Sequence, residues 1–173
     1  MKKNTKRKNA ALTITRAAAV GALYFILTWI SGLFGLSSGV IQFRISEALC
    51  IMPLFFPEAT LGLFIGCLIS NVLTSGVIWD VLFGSLATLI GALGALFMRR
   101  LPKSLAWLAP IPTVVANVVI VPLVLTFAMG ASEALGFIAL TVFIGEAVCA
   151  WLLGAMLYYF LTGSPALSKL LKK

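Results

Sequence analysis

Gln42-Phe43-Arg44-Ile45-Ser46-Glu47-Ala48-Leu49 puts an amide, a guanidinium, a hydroxyl and a carboxylate into one short stretch of a chain that otherwise reads as membrane from end to end. One such ion at the centre of a spanning helix costs about +2.5 to +3.5 kcal/mol on insertion scales. Two of them side by side need compensation by water, a partner or a ligand. The reading therefore works outward from this stretch, asking how deep it sits and which other polar groups could meet it.

The surrounding composition leaves little choice of class. With 61% hydrophobic residues, 10% charged residues and a mean hydropathy of +1.11, the chain departs far from soluble domains, which carry about 25% charged residues. At ~20 residues per crossing plus short connections, 173 residues accommodate five or six helices in a single domain. No length remains for a soluble catalytic module. The predicted fold is an all-α integral membrane protein, a compact bundle of six transmembrane helices.

The net charge of +8 is distributed in blocks: six basic residues lie between Lys2 and Arg16, three are Arg99, Arg100 and Lys103, and three are Lys169, Lys172 and Lys173. Only Arg44 falls elsewhere. Clustering at the ends of apolar runs is what the positive-inside bias produces, and it predicts both termini in the cytoplasm. Nucleic acid is not an expected partner, because a basic groove with aromatic platforms is missing. Cys50, Cys67 and Cys149 lie far apart in apolar runs of a chain without histidine, so no metal is expected and each reads as a small buried hydrophobe.

In chain order, residues 1–10 form a basic, irregular cytoplasmic tail, 11–162 the membrane domain, and 163–173 a second basic tail. The first span, about Ala11 to Ile30, is long for a signal sequence and is read as retained. It stacks Ala18 and Ala22 at i,i+4, a spacing that admits close approach of another helix, inside this protein or on another subunit. Ser31 to Val40 is a glycine- and serine-rich outer loop whose Leu33, Phe34 and Leu36 could fold it back as a lid. A second span, about Arg44 to Phe56, is short and interrupted by Pro53, so a tilted or sunken helix is expected. Pro57-Glu58 opens a third helix with Glu58 as its cap. That helix, Ala59 to about Leu73, carries the close-packing pair Gly62 and Gly66 and ends near Asn71. A fourth, about Trp79 to Met98, lines one face with Asp80, Gly84, Ala87, Thr88, Gly91 and Ala95. The fifth, about Pro112 to Met129, holds Asn117 and Pro122, and the sixth, about Ala134 to Leu161, holds Glu146.

Sorted by depth, Gln42, Arg44, Glu47, Asn71, Asp80 and Glu133 fall in the outer half, Asn117 and Glu146 nearer the middle, and Glu58 on the inner side. Such a descent, without a matching inner set, reads as a pocket open outward and blind at its base. A channel or proton-coupled carrier would line both sides or show repeated broken helices. Arg44 and Glu47 either pair with one another or face a ligand; Asn71 and Asn117 are interhelical glue or ligand contacts; Glu133 reads as a solvated loop acid. One cation cannot neutralise Glu47, Asp80 and Glu146 together. Enzyme readings lack their parts: no histidine for a Ser-His or Cys-His dyad, no Gly-x-Ser-x-Gly elbow, and no Gly-x-x-x-x-Gly-Lys loop for ATP.

Four strings resemble a known family: Gln42 to Leu49; Phe55-Phe56-Pro57-Glu58-Ala59 with Gly62 to Cys67; Asp80 with Phe83-Gly84-Ser85-Leu86-Ala87-Thr88-Leu89; and Gly145-Glu146-Ala147. They look like the QueT family of queuosine-precursor transporters, substrate-binding S components of energy-coupling factor (ECF) importers. The resemblance covers about Thr15 to Leu161. It implies a bacterial cell-membrane protein that captures a 7-deazaguanine from outside under its first loop, without a cofactor. It also implies docking through Ala18 and Ala22 onto a transmembrane T subunit energised by two cytoplasmic ATPases. A guanine-type edge offers adjacent donors that one carboxylate accepts in a bidentate pair, and its acceptors suit Asn71, Asn117, Gln42 or Arg44. Phe43, Trp79 or Phe34 could stack on the ring. On this reading Asp80 and Glu146 face the ligand and Arg44 holds Glu47. The competing readings are an S component for another vitamin or nucleobase-like solute, and a non-transport membrane scaffold.

Overall fold

The computed structural model describes residues 2–165, with side chains from Ala10 onward, and every regular element in that range is helical. Helix α1 spans Lys2–Leu33, so the tail expected to be irregular is already helical from Lys2. Met1 and most of the second basic tail, beyond Pro165, lie outside the described residues. After a folded connection come a 3-10 element at Ile45–Leu54, helix α2 at Ala59–Thr74 and helix α3 at Ser85–Met98. Helix α4 covers Ile111–Leu123, α5 covers Leu135–Glu146 and α6 covers Leu153–Gly163. Wide π turns precede α3 at Asp80–Gly84, extend α4 through Val124–Ala128, and join α5 to α6 through Ala147–Leu152.

Four continuous stretches are long and apolar enough to cross a membrane: Ala10–Leu33, Asp80–Met98, Lys103–Ala128 and Leu135–Gly163. Their outward faces carry side chains such as Ile26, Ile90, Val119 and Phe137 into the surroundings. In water such a shell would aggregate; in a bilayer it meets a solvent as apolar as itself.

The short second segment takes the sunken form of the two expected, as a 3-10 element and not a tilted α-helix. Pro53 has no N–H to donate, and Phe55 closes the last turn by donating its N–H to the Met52 carbonyl at 2.9 Å. At a 3-10 rise of ~2.0 Å per residue the element reaches ~20 Å. Ser46 through Pro53 are all buried, packed by α1, α2, α3, α6 and the Ala147–Leu152 turn. It is an internal post with helices around it. Leu49, Cys50, Ile51 and Met52 belong to the main apolar core with Tyr24 and Leu63.

Small residues set the spacing of the surrounding helices. A Cβ placed on Gly21 would lie 2.9 Å from the Gly62 carbonyl oxygen, and one on Gly62 would strike the Ala17 carbonyl. The α1–α2 contact is therefore backbone on backbone, the arrangement that glycine permits in lipid. Gly91 and Gly94 likewise leave room on α3, there for the Thr113 and Pro112 side chains of α4. The small and polar stripe running from Asp80 of the wide turn to Ala95 of α3 faces inward throughout. Glu58 stands at the N-terminus of α2 but makes no side-chain cap; its carboxylate pairs with Arg16 at 3.3 Å, whose guanidinium also covers the Phe56 ring.

Candidate functional site

Six polar side chains from five segments turn into the interior. Arg44 stands at the entrance to the 3-10 element and Glu47 in its first turn. Asn71 lies near the end of α2, Asp80 opens the first wide turn, Asn117 sits in α4, and Glu146 closes α5 immediately before another wide turn. Wide turns recur at functional sites because they release backbone groups and re-aim side chains. All six residues are between 0% and 7% exposed. Glu146 is within electrostatic reach of Glu47 and Arg44 and lies beside the Asn117 amide, and Arg44 is within reach of Asp80, Tyr24, Cys67 and Glu47. They form one cluster.

The three carboxylates are not equivalent. Glu47 accepts a short hydrogen bond from the Tyr24 hydroxyl on one oxygen, and the Cys50 thiol donates to its other oxygen at 3.1 Å. It is held by α1 and by its own element. The expected Arg44–Glu47 pair is not made: the Arg44 guanidinium donates through Nε to the Ser37 carbonyl and sets Nη2 3.8 Å from Asp80 Oδ2. The cause is local. Arg44 has extended backbone (φ −89°, ψ 100°) outside the helical turn, so the two side chains do not share a face as residues three apart in a helix would.

Five buried atoms of the cluster have no hydrogen-bond partner: Arg44 Nη2, Asn71 Oδ1, Asp80 Oδ2, Asn117 Nδ2 and Glu146 Oε2. Each such group costs about 1–3 kcal/mol when left unsatisfied, more when charged. They comprise two donors and three acceptors, and they come from the 3-10 element's entrance and four surrounding segments. The other half of each amide or carboxylate fixes its aim where a partner exists. Asn71 Nδ2, for instance, donates to the Asp80 carbonyl at 3.2 Å and reaches Cys67 Sγ at 3.5 Å.

The loop between α1 and the 3-10 element covers this region. Gly35 and Gly39 take positive φ of 70° and 93°, which fold it back, and Phe43 donates its N–H to the Leu36 carbonyl at 2.8 Å. Thr141 Oγ1 of α5 donates to the Val40 carbonyl at 2.6 Å, and Val40 packs on Val121, Leu125, Ile138 and Val142. The Gln42 carbonyl rests on Gly145, where any Cβ would collide with it. The apolar seal is thus Val40; Leu33 and Phe34, expected to serve, are 71% and 75% exposed.

The remaining expected residues divide. Gln42 is buried, but its amide donates to the Gly39 carbonyl at 2.8 Å inside its own loop. Trp79 stays outside the cluster, 45% exposed and stacked on Phe83 at 6.1 Å. It precedes the wide turn, which carries Asp80 inward and leaves the indole on the outer face. Glu133 is exposed, as expected of a loop acid. Ala18 and Ala22 are exposed, while Ala17 and Gly21 meet α2.

Several members were legible yet missed. Tyr24, Thr28 and Ser31 recur at helical spacing on α1, all buried. Thr28 donates to the Ser46 hydroxyl at 2.7 Å, and Ser31 Oγ receives the Ile45 N–H at 3.2 Å. Cys67 accepts from Thr88 at 3.2 Å, so Cys50 and Cys67 serve the polar network and only Cys149 keeps the purely apolar role. Among the described residues, no three side chains of metal-ligating type are gathered to hold an ion. What the cluster can offer is hydrogen bonding and charge.

Fold and interior together describe a multi-pass membrane protein enclosing donors and acceptors that its own side chains do not satisfy. Comparison with known proteins agrees on the class. A model described as "QueT transporter" matches residues 14–163, and the chain belongs to that family, one of transporters and not of enzymes. The chain is 39% identical over 102 residues to the "Queuosine precursor transporter QueT" of Lactococcus lactis subsp. cremoris (strain MG1363). That alignment covers 58% of this chain and 60% of the relative's length. No solved structure gives a significant match.

Proposed function

We propose that this protein is the substrate-capture subunit of an ATP-driven importer of the ECF type and that its ligand is a 7-deazaguanine queuosine precursor. The observation that carries the reading is the set of unpartnered buried atoms on Arg44, Asn71, Asp80, Asn117 and Glu146. A guanine-type ring supplies the missing complement: its N–H and NH₂ edge to a carboxylate, its carbonyl and ring nitrogens to Arg44 or Asn117. Asp80 and Glu146 are the carboxylates with an open oxygen; Glu47, already held by Tyr24 and Cys50, positions the post. An aminomethyl substituent would place its cation on the second open carboxylate. The name of the L. lactis relative supports the substrate class.

The proposed topology has six crossings, the second being the internal post, with both termini in the cytoplasm. Twelve of the thirteen basic residues then lie inside and Arg44 alone lies toward the outer face. The loop over Val40 becomes the outer cover. Because the sequence has no phosphate-binding loop, energy comes from partners: a transmembrane T subunit meeting α1 at Ala18 and Ala22, and two ATPases beneath it. Both alanines lie on the face of α1 that this chain leaves open, which supports the docking assignment.

The test is equilibrium binding of 7-deazaguanines to the purified protein. Asp80→Asn and Glu146→Gln should each weaken affinity about ten- to hundredfold, the worth of one charge-assisted hydrogen bond. Unchanged affinity in both variants would remove the pocket assignment. Tight retention of a different ultraviolet-absorbing solute through purification would keep the class and change the ligand, whereas a scaffold would retain none.

A further inference from the structure

A cavity away from the polar cluster lies at the end of the bundle that carries Arg99, Arg100 and Lys103. It has a volume of about 780 Å³ and is walled by Leu54, Phe55 and Tyr158 on one side and by Arg99, Lys103 and Ser104 on the other. Tyr159 belongs to its rim and also to a neighbouring, nearly apolar hollow of about 470 Å³ formed with Trp107, Trp151 and Leu152. The two indoles stack at 5.8 Å, and the Trp151 N–H donates to the Trp107 carbonyl at 3.1 Å. Tryptophan and tyrosine concentrate at the level of lipid headgroups, where a bilayer changes from polar to apolar.

The charge in this cleft has no internal counterpart. All five acidic side chains of the sequence are described, and the ion pairs among them run from Arg16 to Glu58 and from Arg44 to Asp80. No acidic side chain pairs with Arg99 or Lys103.

We propose that this cleft is a binding site for one anionic glycerophospholipid, with its phosphate on Arg99 and Lys103 and an acyl chain along the Trp107–Trp151 hollow. A basic recess between helices at the interface is suited to an anionic headgroup, and a cavity of this size lies within the range that encloses small ligands. The apolar annex separates a lipid from a free anion. Inorganic phosphate would use the cations and leave the tryptophan hollow empty; a lipid fills both. The site is independent of the polar cluster and of what that cluster binds.

Native mass spectrometry of the full-length protein, delipidated in detergent and titrated with phosphatidylglycerol or phosphatidylcholine, tests this. Phosphatidylglycerol should bind as a single retained adduct and phosphatidylcholine at least tenfold more weakly. Arg99→Ala and Lys103→Ala should each reduce occupancy about fivefold, while Arg99→Lys with Lys103→Arg should retain it and so exclude misfolding as the cause. Trp151→Ala should weaken long-chain phosphatidylglycerol more than its short-chain form. Equal binding of the two lipids, an unaffected double alanine variant, or displacement by millimolar inorganic phosphate would each overturn the assignment.

Discussion

Arg44 Nη2 and Asp80 Oδ2 stand 3.8 Å apart, close enough to attract and too far to share a hydrogen, and neither atom has another partner. The same guanidinium is fixed through Nε to the Ser37 carbonyl. Arg44 therefore ties the loop over the interior to the first turn leading into α3, using a planar fork that lysine does not possess. Arg44→Lys keeps the charge and should lose the loop contact. We expect a stability loss of about 1–3 kcal/mol and weaker ligand binding, read by thermal unfolding in detergent and by calorimetry. A variant matching the parent in both would show the bridge to be dispensable.

Tyr24→Phe removes one donor and leaves Glu47 Oε1 without its partner at a residue only 1% exposed. The expected cost is about 1–3 kcal/mol in unfolding free energy. Ligand affinity should change far less than in Asp80→Asn, because both Glu47 oxygens are engaged within the protein, by Tyr24 and Cys50. Comparable affinity losses in both variants would transfer Glu47 to the ligand-facing set.

Gly62→Ala drives a methyl group into the Ala17 carbonyl and should cost about 1–3 kcal/mol by overpacking. Gly136→Ala, where nothing lies within 4 Å of the added carbon, should be neutral or stabilising by about 0.5–1 kcal/mol from helix propensity. Denaturation midpoints of the two variants in one detergent check the contrast. A Gly62 variant as stable as the parent would mean that the α1–α2 approach is looser than the backbone contact requires.

Ala18→Trp and Ala22→Trp place bulk on the open face of α1. Uptake by cells should be abolished while binding by the purified protein stays unchanged, measured by labelled-substrate accumulation and by calorimetry. Loss of binding in both variants would show that this face packs within the subunit during capture.

Helix positions were legible because apolar runs in this chain are punctuated by charge, glycine and proline. The third expected helix, Ala59 to about Leu73, is found as Ala59–Thr74, and the fourth as Asp80–Met98. The buried face of α3 followed from its small residues at helical spacing. What was hidden is where that spacing fails. Each wide turn inserts an extra residue and rotates the following helix by roughly 100°. Counting alone therefore does not fix the alignment of side chains across Ala147–Leu152, although the stripe from Asp80 to Ala95 keeps one inward face. Trp79 was expected to stack on the ligand's ring, but it adjoins the inward-facing Asp80, and adjacent helical residues point about 100° apart, so its indole lies outside. The Arg44–Glu47 pair failed because counting by three presumes that both residues are already in the helix.

One further consequence follows from the seat of Gln42 on Gly145. The contact is made by a main-chain oxygen on a residue without a side chain, so no rotamer change can open it. Admission of a solute then requires main-chain displacement of the cover relative to α5, a collective motion slower than side-chain rotation and typically in the microsecond to millisecond range. On the proposed capture role, entry is gated by this loop displacement, and its rate should depend little on which molecule is waiting.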